Sequence, residues 1–346
     1  MSGLARRPLG SGGVEVTELS FGAAGIGNLY APITDAQATT ALDHAWNAGI
    51  RYFDTAPHYG LGLSERRLGE ALRGRDRSSY VISTKVGRIL EPANLPGDDL
   101  ADGGFAVPRT HRRIWDFSAD GVRRSIESSL TRLGTDRVDV VFLHDPDHHE
   151  EEAFREGYPA LEKLRSEGMV GAIGAGMNQA EMLTRFVRDT DVDAVLCAGR
   201  YTLLDHQALA ELLPAANERG ASIVIGGVFN SGLLADPKPG ARFDYVEAPP
   251  HLLARARALR TLAERHGTTL RAAALAFPFG HSAVASVLVG IRAPEQVTDA
   301  AEQFAAEVPD DFWREARETG LLPAHVPVPA AARTDISPGV RGRDRL

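Results

Sequence analysis

Three features of this 346-residue sequence predict an α/β fold, a closed (β/α)8 barrel. Eight short apolar runs alternate with helical patterns, and the runs are apolar on both faces, as in a parallel sheet covered by helices. After the first run the chain reads GAAGIG (22–27), which lacks the G-x-G-x-x-G usual in a doubly wound dinucleotide-binding sheet. No internal repeat or low-complexity linker is present, so we expect a single TIM-type barrel domain over residues 1–346.

Changes of hydrophobic period place the elements along the chain. Strands are predicted at 14–21, 51–56, 80–86, 138–145, 170–175, 193–198, 222–228 and 285–290. Helices are predicted near 35–48, 64–73, 119–133, 151–167, 179–189, 205–219, 250–266 and 294–305. Ser64 is the expected N-cap of the second helix, with Glu65 in its first turn.

Two segments interrupt this alternation. Residues 87–118 are a long loop after the third strand, rich in Pro and Gly, and such loops tend to be functional lids or disordered. Its aromatic residues Phe105, Trp115 and Phe117 favour a lid-like loop with apolar contacts. The tail 320–346 is rich in Pro and Ala. We expect its first half to fold over the barrel mouth and its last ten residues to be disordered.

Composition narrows the classes of function. The net charge of −8 argues against a general nucleic-acid or anionic-membrane surface. The N-terminal residues MSGLARRPLG have no signal-peptide core, and no long apolar run suited to a membrane span occurs, so we expect a cytoplasmic protein. The single cysteine, Cys197, precludes an intrachain disulfide and lies in an apolar run that predicts a buried thiol.

Ionisable side chains stand at the ends of three neighbouring predicted strands. Asp54 ends the second strand, Tyr59 follows it, Lys85 ends the third and His144 ends the fourth. The carboxyl ends of barrel strands converge on one mouth, where active sites lie. Any one of these groups alone is more simply a solvated or paired charge, but together they indicate a catalytic site.

The four side chains suit proton transfer to or from an alcohol or carbonyl oxygen. A free tyrosine, with a pKa of about 10, is a poor base at neutral pH. An ammonium group beside it stabilises the phenolate and lowers that pKa, and an aspartate holds the lysine in place. A neutral histidine can then orient the substrate oxygen. The natural partner reaction is hydride transfer to a nicotinamide ring.

The segments FDTAPHYGLGLSERRLGEAL (53–72), ISTKVG (82–87) and VVFLHDPD (140–147) resemble the three signature regions of the aldo-keto reductases, in the same order and spacing. The resemblance extends from the first strand to about residue 305. It implies Tyr59 as proton donor and acceptor, Lys85 and Asp54 as the pair that tunes it, and His144 as the group that orients the substrate oxygen. A cofactor, NAD or NADP, is implied as well, and no metal.

The resemblance also indicates where the cofactor binds. Asn178 in GAGMN matches the asparagine that binds the nicotinamide carboxamide, FNSGLL (229–234) the loop around the pyrophosphate, and VLVGIRAPEQVTDA (287–300) the adenosine segment. The implied cofactor contacts are Gly22, Ala23, Asp54, Asn178, Phe229, Asn230, Ser231, Gly232, Leu233, Gly290, Arg292, Gln296 and Asp299.

Two departures from the family pattern bear on the cofactor. Gly226 stands where many members have a tyrosine that stacks on the nicotinamide, and Phe229 is the candidate replacement. Gly290 and Gln296 stand where NADP-preferring members often carry a lysine and an arginine for the 2′-phosphate. Because a phosphate needs charge-assisted donors, their loss favours NAD, although Arg292 nearby is positioned to restore phosphate binding.

Within the family, the sequence most resembles bacterial dehydrogenases of aldoses and of pyridoxal, the former oxidising the anomeric hydroxyl of a sugar to a lactone. The expected partner is thus a small polar alcohol or aldose, of the L-fucose or D-arabinose type. His58, His144 and Trp115 are the expected substrate contacts. Pyridoxal, or general aldehydes and ketones, are the alternative substrates within the family.

Three other classes of function are weighed against this interpretation. The cluster HDPDHHE (144–150) could hold a metal, but metal barrels usually draw histidines from several strands. A Schiff-base aldolase would use Lys85 but would leave FNSGLL and the adenosine segment without a role. A cofactor-binding regulatory subunit would keep the barrel without turnover, against which the four intact site residues argue.

Overall fold

The computed structural model describes residues 4–330 and contains a closed barrel of parallel strands, which confirms the predicted TIM-type fold. Its strands, in chain order, are β1 (Leu19–Gly22), β2 (Tyr52–Asp54), β3 (Val81–Val86), β4 (Val140–His144), β5 (Ala172–Met177), β6 (Ala194–Ala198), β7 (Ser222–Gly226) and β8 (Val284–Gly290). Each strand pairs with its neighbours in sequence, and β8 pairs with β1 to close the ring. The carboxyl ends of all eight strands therefore meet at one mouth.

Helices surround the barrel. Their bounds are Asp35–Asn47, Leu63–Leu72, Ala119–Leu133, Tyr158–Ser166, Ala180–Asp189, Leu212–Arg219, Pro250–Arg265, Leu270–Ala276, Pro294–Ala305 and Asp310–Glu318, with short pieces at Glu150–Glu152 and Gln207–Ala210. Two predicted helices are interrupted. The helix predicted at 151–167 contains a π-helical turn, Ala153–Gly157, just before Pro159, which has no amide hydrogen to donate. The one predicted at 205–219 breaks at Glu211, whose φ is −135°. No helix within residues 4–330 has the length and apolarity that a bilayer crossing requires.

The predicted first strand, 14–21, is in fact two elements. Glu15–Thr17 pairs antiparallel with Arg6–Pro8, and only Leu19–Gly22 enters the barrel. The hairpin closes the amino end of the barrel, since its Leu9 and Val16 pack with the side chains that fill the interior. A second apolar layer lies between the strands and the helices and includes Cys197, which is buried as expected. The mouth is thereby left as the open end.

The segment 87–118 forms two β-hairpins rather than an irregular loop. Arg88–Pro92 pairs with His111–Trp115, and Asp98–Asp99 pairs with Phe105–Pro108. Arg113 fixes them to the barrel, because its guanidinium donates to the buried carboxylate of Asp99 at 2.7 and 2.5 Å and to the His58 carbonyl oxygen at 3.2 Å. The hairpins thus form one wall of the mouth beside the loop that carries Tyr59.

The described part of the tail packs at the opposite end of the barrel from its mouth. Val328 lies against Gly280, which comes just before the amino end of β8, and Leu322 and Val326 are fully buried. The expectation that the first half of the tail covers the mouth is therefore wrong. The expected disorder of the last ten residues concerns positions outside the described residues.

The loop that carries Tyr59 is anchored differently from the prediction. Gly62, not Ser64, precedes the helix Leu63–Leu72 as its N-cap. Ser64 is buried, and its hydroxyl donates to the Ala23 carbonyl oxygen at 2.8 Å. Glu65 is also buried, accepting from Arg132 at 2.5 Å and from the Thr84 hydroxyl at 2.8 Å. These contacts tie the helix, and hence the loop before it, to the barrel.

Candidate active site

The barrel brings Asp54, Lys85 and Tyr59 into direct contact at the mouth. The Lys85 ammonium donates to Asp54 Oδ2 at 2.6 Å, to the Tyr59 hydroxyl at 3.0 Å and to the Thr55 carbonyl oxygen at 3.0 Å. Ser83 donates to the other oxygen of Asp54 at 2.7 Å. Asp54 and Lys85 are almost fully buried, whereas Tyr59 is partly exposed. A fixed charge pair therefore holds one phenol that faces the mouth.

Strand register explains this convergence. Asp54 of β2 lies opposite Ser83 of β3, two residues before Lys85, and Lys85 lies opposite Phe142, two residues before His144. Residues two apart on a strand point to the same face, so Ser83 and Lys85 project together, as do Phe142 and His144. The functional residue therefore lies two positions further along each successive strand from β2 to β4. This offset follows the tilt of the barrel strands and brings Asp54, Lys85 and His144 together at the mouth.

His144 and His58 complete the cluster around the phenol. The ring of His144 meets that of Tyr59 edge-on, with centroids 5.9 Å apart, and lies 5.7 Å from the ring of His58. His58 also contacts Phe105 of the hairpin wall at 5.2 Å. The Nδ1 atoms of both histidines are buried and have no hydrogen-bond partner among the described residues. All four predicted catalytic residues thus lie together, with His58 beside them.

Burial and charge set the protonation states. Burial raises the pKa of Tyr59, and this outweighs the lowering by Lys85 that the sequence analysis anticipated. Burial alone would lower the pKa of Lys85, but Asp54 and Tyr59 hold it above its ordinary value. Burial, together with Arg88, lowers the pKa of His144 well below its usual value and that of His58 to about 2. At neutral pH the site holds a protonated phenol, an ammonium group and two neutral imidazoles.

A groove of about 520 Å³ runs from this centre across the ends of β5 to β8. Leu29 connects the two, because it lines the groove and packs in the same apolar cluster as Tyr59 and Phe105. Of the predicted cofactor contacts, the residues that line this groove are Asn178, Phe229, Asn230, Ser231, Gly232, Gly290, Gln296 and Asp299.

The other predicted contacts lie elsewhere. Gly22 and Ala23 are buried near Asp54, whose carbonyl oxygen accepts from the Ala23 amide at 2.9 Å, and none of these three lines the groove. Leu233 is fully buried in the core, and Arg292 lines a separate depression next to Pro32 and Thr40.

Trp115, a predicted substrate contact, also lies outside the groove. It is 41% exposed and packs on Phe117, His149 and the guanidinium of Arg88.

The groove contains residues that sequence reasoning missed. Tyr30, Arg242, Asp244, Tyr245 and Arg271 all line it. Tyr30, Asp244 and Tyr245 have positive φ angles of 63°, 49° and 68°, which a sequence pattern does not reveal for residues other than Gly, Asn or Asp. Of these three residues, only Asp244 could have been anticipated as a turn residue from the sequence, since aspartate tolerates a positive φ in turns.

The groove fits an extended nucleotide. Asn230 and Ser231 both adopt positive φ, 45° and 56°, so the loop turns sharply here, and the Asn230 amide donates to the Gly227 carbonyl oxygen at 2.8 Å. Asn230 Oδ1 is buried without a hydrogen-bond partner among the described residues. The α-carbon of Gly290 has open space where a side chain would stand. The unpartnered amide oxygen and the shape of the groove suit a dinucleotide, with Leu29 at the end that adjoins the phenol.

The segment 144–150 does not assemble a metal site. Within residues 4–330, no group of three or more His, Cys, Asp or Glu side chains is placed to hold a metal ion. His148 is instead largely exposed, with its Nε2 atom 3.5 Å from Asp147.

Comparison with known proteins agrees with the fold and identifies the family. The Aldo/keto reductase family matches residues 18–320, and the chain belongs to this family of oxidoreductases, which use nicotinamide nucleotides. A D-threo-aldose 1-dehydrogenase of Pseudomonas sp is 46% identical over 316 residues, covering 90% of this chain and 96% of the relative. A pyridoxal 4-dehydrogenase of Microbacterium luteolum is 40% identical, covering 92% and 98%.

Solved structures agree as well. The holo form of an aldo-keto reductase from Bacillus halodurans matches with a TM-score of 0.74 and 27% identity, covering 93% of this chain and 98% of its own. The resemblance inferred from the signature segments is therefore confirmed, including the aldose and pyridoxal dehydrogenase branch.

Proposed function

We propose that this protein is an NAD-linked aldose dehydrogenase that oxidises the anomeric C1 hydroxyl of a sugar to a lactone. The observation that carries the proposal is the contact of the Tyr59 phenol with the Lys85–Asp54 pair, beside His144 and at the end of a dinucleotide-shaped groove. The similarity to the Pseudomonas D-threo-aldose 1-dehydrogenase supports the choice of an aldose.

Residues of this chain would transfer the proton of the C1 hydroxyl. A nicotinamide held by Asn178 would accept the hydride from C1. Tyr59 would accept the C1 hydroxyl proton in oxidation and donate it in reduction, while the neutral His144 imidazole would hydrogen-bond the same oxygen. Because the pKa of Tyr59 is raised, oxidation needs the phenol to lose its proton first, and Lys85 favours that loss. We therefore expect oxidation to be faster at alkaline pH.

The adenosine end of the groove supports NAD over NADP. Gly290 and Gln296 supply no positive charge, and Asp299, which also lines the groove, pairs with Arg271 at 2.9 Å and so offsets its charge. Arg292 points into a separate depression. A 2′-phosphate, which carries about two negative charges, would find few charge-assisted donors here.

The decisive experiment measures initial rates of NADH and NADPH formation at moderately alkaline pH. The substrates are L-fucose, D-arabinose, L-galactose, pyridoxal and simple alcohols. Rates with the sugars, and higher kcat/KM with NAD than with NADP, are the expected result. Tight NADH binding without turnover of any sugar would contradict the aldose assignment while leaving the cofactor assignment intact.

Pyridoxal is the second candidate substrate, because the Microbacterium pyridoxal 4-dehydrogenase is 40% identical to this chain. The aromatic wall at Phe105 could flank a pyridine ring as well as a sugar. The same panel separates the two, since a pyridoxal dehydrogenase would show its highest kcat/KM on pyridoxal and little turnover of the sugars.

A further inference from the structure

An ion pair that the proposed mechanism does not use stands directly beside the catalytic histidine. Arg88 leaves the barrel at the first position after Gly87, and its Nη2 donates to Asp145 Oδ2. The same Asp145 oxygen lies 3.7 Å from His144 Nε2. The guanidinium is further held at 4.3 Å from the ring centroid of Trp115. The pair therefore links the hairpin wall to the end of β4.

The backbone constrains the positions of both members of the pair. Asp145 has a φ of 44°, a left-handed conformation that aspartate tolerates better than most residues and that clusters at functional sites. Gly87 has a φ of 101°, and a Cβ there would lie 2.1 Å from the Phe117 ring, so only glycine lets the chain turn towards Arg88. Such constraints indicate that the position of the pair matters.

Polar atoms around the pair are left without partners. Arg88 Nε, His58 Nδ1 and His144 Nδ1 are buried and make no hydrogen bond among the described residues. A buried polar group without a partner is costly, by about 1–3 kcal/mol, unless a ligand or water satisfies it. The side chains of Arg88 and Asp145 are 13% and 33% exposed, so the pair retains an accessible edge.

We propose that Arg88 and Asp145 form a subsite that recognises two adjacent hydroxyl groups of the substrate, those on C2 and C3 of an aldose. This inference rests on the proposed function and deepens it. The Asp145 carboxylate lies 3.7 Å from Nε2 of His144, which would hold the oxygen on C1, so the pair is within reach of the next atoms of the substrate chain. The guanidinium donates to the C2 hydroxyl oxygen, and the carboxylate accepts from the C3 hydroxyl.

The charges of the pair select the class of substrate. A lone arginine here would favour a carboxylate or phosphate, but Asp145 already neutralises Arg88 and would repel an anion. The charged groups facing the pair are Lys85, which Asp54 neutralises, Arg113, which Asp99 neutralises, and Asp147, whose negative charge further disfavours an anion. A neutral diol satisfies one donor and one acceptor without leaving a net charge buried, whereas a monofunctional alcohol satisfies neither.

The test is a cycle between one side chain and one hydroxyl. Oxidation of D-arabinose is compared with that of 2-deoxy-D-ribose, which is the same sugar without its C2 hydroxyl, in the wild type and in Arg88→Met. We expect Arg88→Met to lower kcat/KM for D-arabinose by about 10- to 100-fold, mostly through KM, the range of a hydrogen bond to a charged group. The deoxy sugar should lose less than about threefold, because the bond is already absent.

Two further variants distinguish direct recognition of the substrate by Arg88 from mere support of His144 by Arg88. Arg88→Lys keeps the charge and should recover part of the D-arabinose rate, and Asp145→Asn should reproduce the KM effect. Arg109→Met, which removes an arginine of the same hairpins that pairs with the exposed Asp102, is the matched control and should leave kcat/KM for both substrates unchanged. NADH affinity, measured by fluorescence, should be equal in all variants.

Equal losses on D-arabinose and its deoxy analogue would overturn the proposal and show that Arg88 only supports His144. If the wild type oxidises no aldose, the proposed function fails instead, and the same cycle is run on reduction of D-glyceraldehyde against propanal. Loss confined to glyceraldehyde would then support the diol subsite, and equal loss would overturn it.

Discussion

The catalytic centre and the cofactor groove share one barrel mouth but are built in different ways. In the centre, Asp54 and Lys85 are buried at strand ends and joined by a 2.6 Å ion pair. In the groove, Tyr30 and Tyr245 stand on loops and are 51% and 59% exposed. Strand register positions the first pair, whereas loop conformation positions the second.

This difference matches the tasks of the two regions. Proton transfer needs a donor and acceptor held within hydrogen-bond reach, so rigid strand ends suit it. A dinucleotide must enter and leave, and loops over a rigid scaffold allow that. Substitutions in the centre should therefore change kcat, while those in the groove should change cofactor affinity and selectivity.

The largest expected effect comes from the centre. Tyr59→Phe should lower kcat by about 10²- to 10⁴-fold, the usual contribution of general acid–base catalysis, because phenylalanine cannot exchange a proton with the substrate oxygen. NADH affinity should stay within about twofold, because the phenol acts on the substrate. Steady-state rates and NADH fluorescence titration measure the two quantities.

Tyr80→Phe is the control for Tyr59→Phe, since Tyr80 precedes the amino end of β3, far from the mouth. A wild-type kcat in Tyr59→Phe, with a deuterium isotope effect showing that hydride transfer is rate-limiting, would refute the assignment of Tyr59.

The next effect concerns the pH profile. Lys85 lowers the pKa of Tyr59, so Lys85→Met should raise that pKa further, because the adjacent opposite charge is lost. Oxidation needs the deprotonated phenol, so its rate should rise with pH, and in the variant this rise should move to higher pH. The neutral form of His144 is already favoured, so no limb near pH 6.5 should come from it.

The measurement is kcat/KM for oxidation across pH 6 to 11, with the exposed Lys163→Met as the control for loss of a lysine. If the pH at which the rate rises is the same in Lys85→Met as in the wild type, Lys85 does not lower the pKa of Tyr59. If the rise moves to lower pH, Lys85 has the opposite effect on that pKa.

Cofactor selectivity tests the groove. Gly290→Lys combined with Gln296→Arg should raise the ratio of kcat/KM for NADP to that for NAD by about 10- to 100-fold, as one or two charge-assisted hydrogen bonds to the 2′-phosphate would. The lysine has room, because nothing lies within 4 Å of a Cβ at Gly290.

Thr298→Lys is the matched control for this exchange. Thr298 lies on the exposed face of the helix Pro294–Ala305, which also carries Gln296, and does not line the groove. The added positive charge should therefore leave the ratio of kcat/KM for NADP to that for NAD unchanged. An equal rise in both variants would mean that only the overall charge matters, and no rise in either would place the 2′ position elsewhere.

The same contrast explains what the sequence could predict. The barrel and the positions of Asp54, Lys85 and His144 follow from local patterns, because an apolar run ending in a polar residue directly marks a strand tip. The Tyr245 side chain depends instead on a loop whose shape is set by distant contacts, such as Asp244 with Arg200 at 2.8 Å. No periodicity encodes such a contact, so Tyr245 was missed, and Arg271 was missed because the short helix Leu270–Ala276 that carries it was not predicted.

The pKa of Tyr59 shows a second limit of the sequence. The lysine that lowers it is visible in the signature segments, but the burial that outweighs the lysine arises from the packing of Phe105 and His58 around the phenol. The charged groups of the site can therefore be read from the sequence. Whether their effect on the pKa of Tyr59 exceeds that of desolvation follows only from the assembled structure.

The smallest expected effect falls on the loop residue Tyr245. Its backbone amide is held by the Ser231 hydroxyl at 3.0 Å, and its ring lines the groove with Asn178, where Gly226 leaves no aromatic side chain. Tyr245→Ala should raise the NADH dissociation constant by about 2- to 10-fold, the value of one aromatic contact, whereas Tyr245→Phe should leave it nearly unchanged. Val246→Ala, at a 65% exposed neighbour outside the groove, is the control in the same fluorescence titration. An unchanged dissociation constant in Tyr245→Ala would show that the ring does not contact the nucleotide. The loop contacts of the groove with the cofactor would then come from Phe229 and the loop backbone, and the contrast with the rigid centre would depend on these alone.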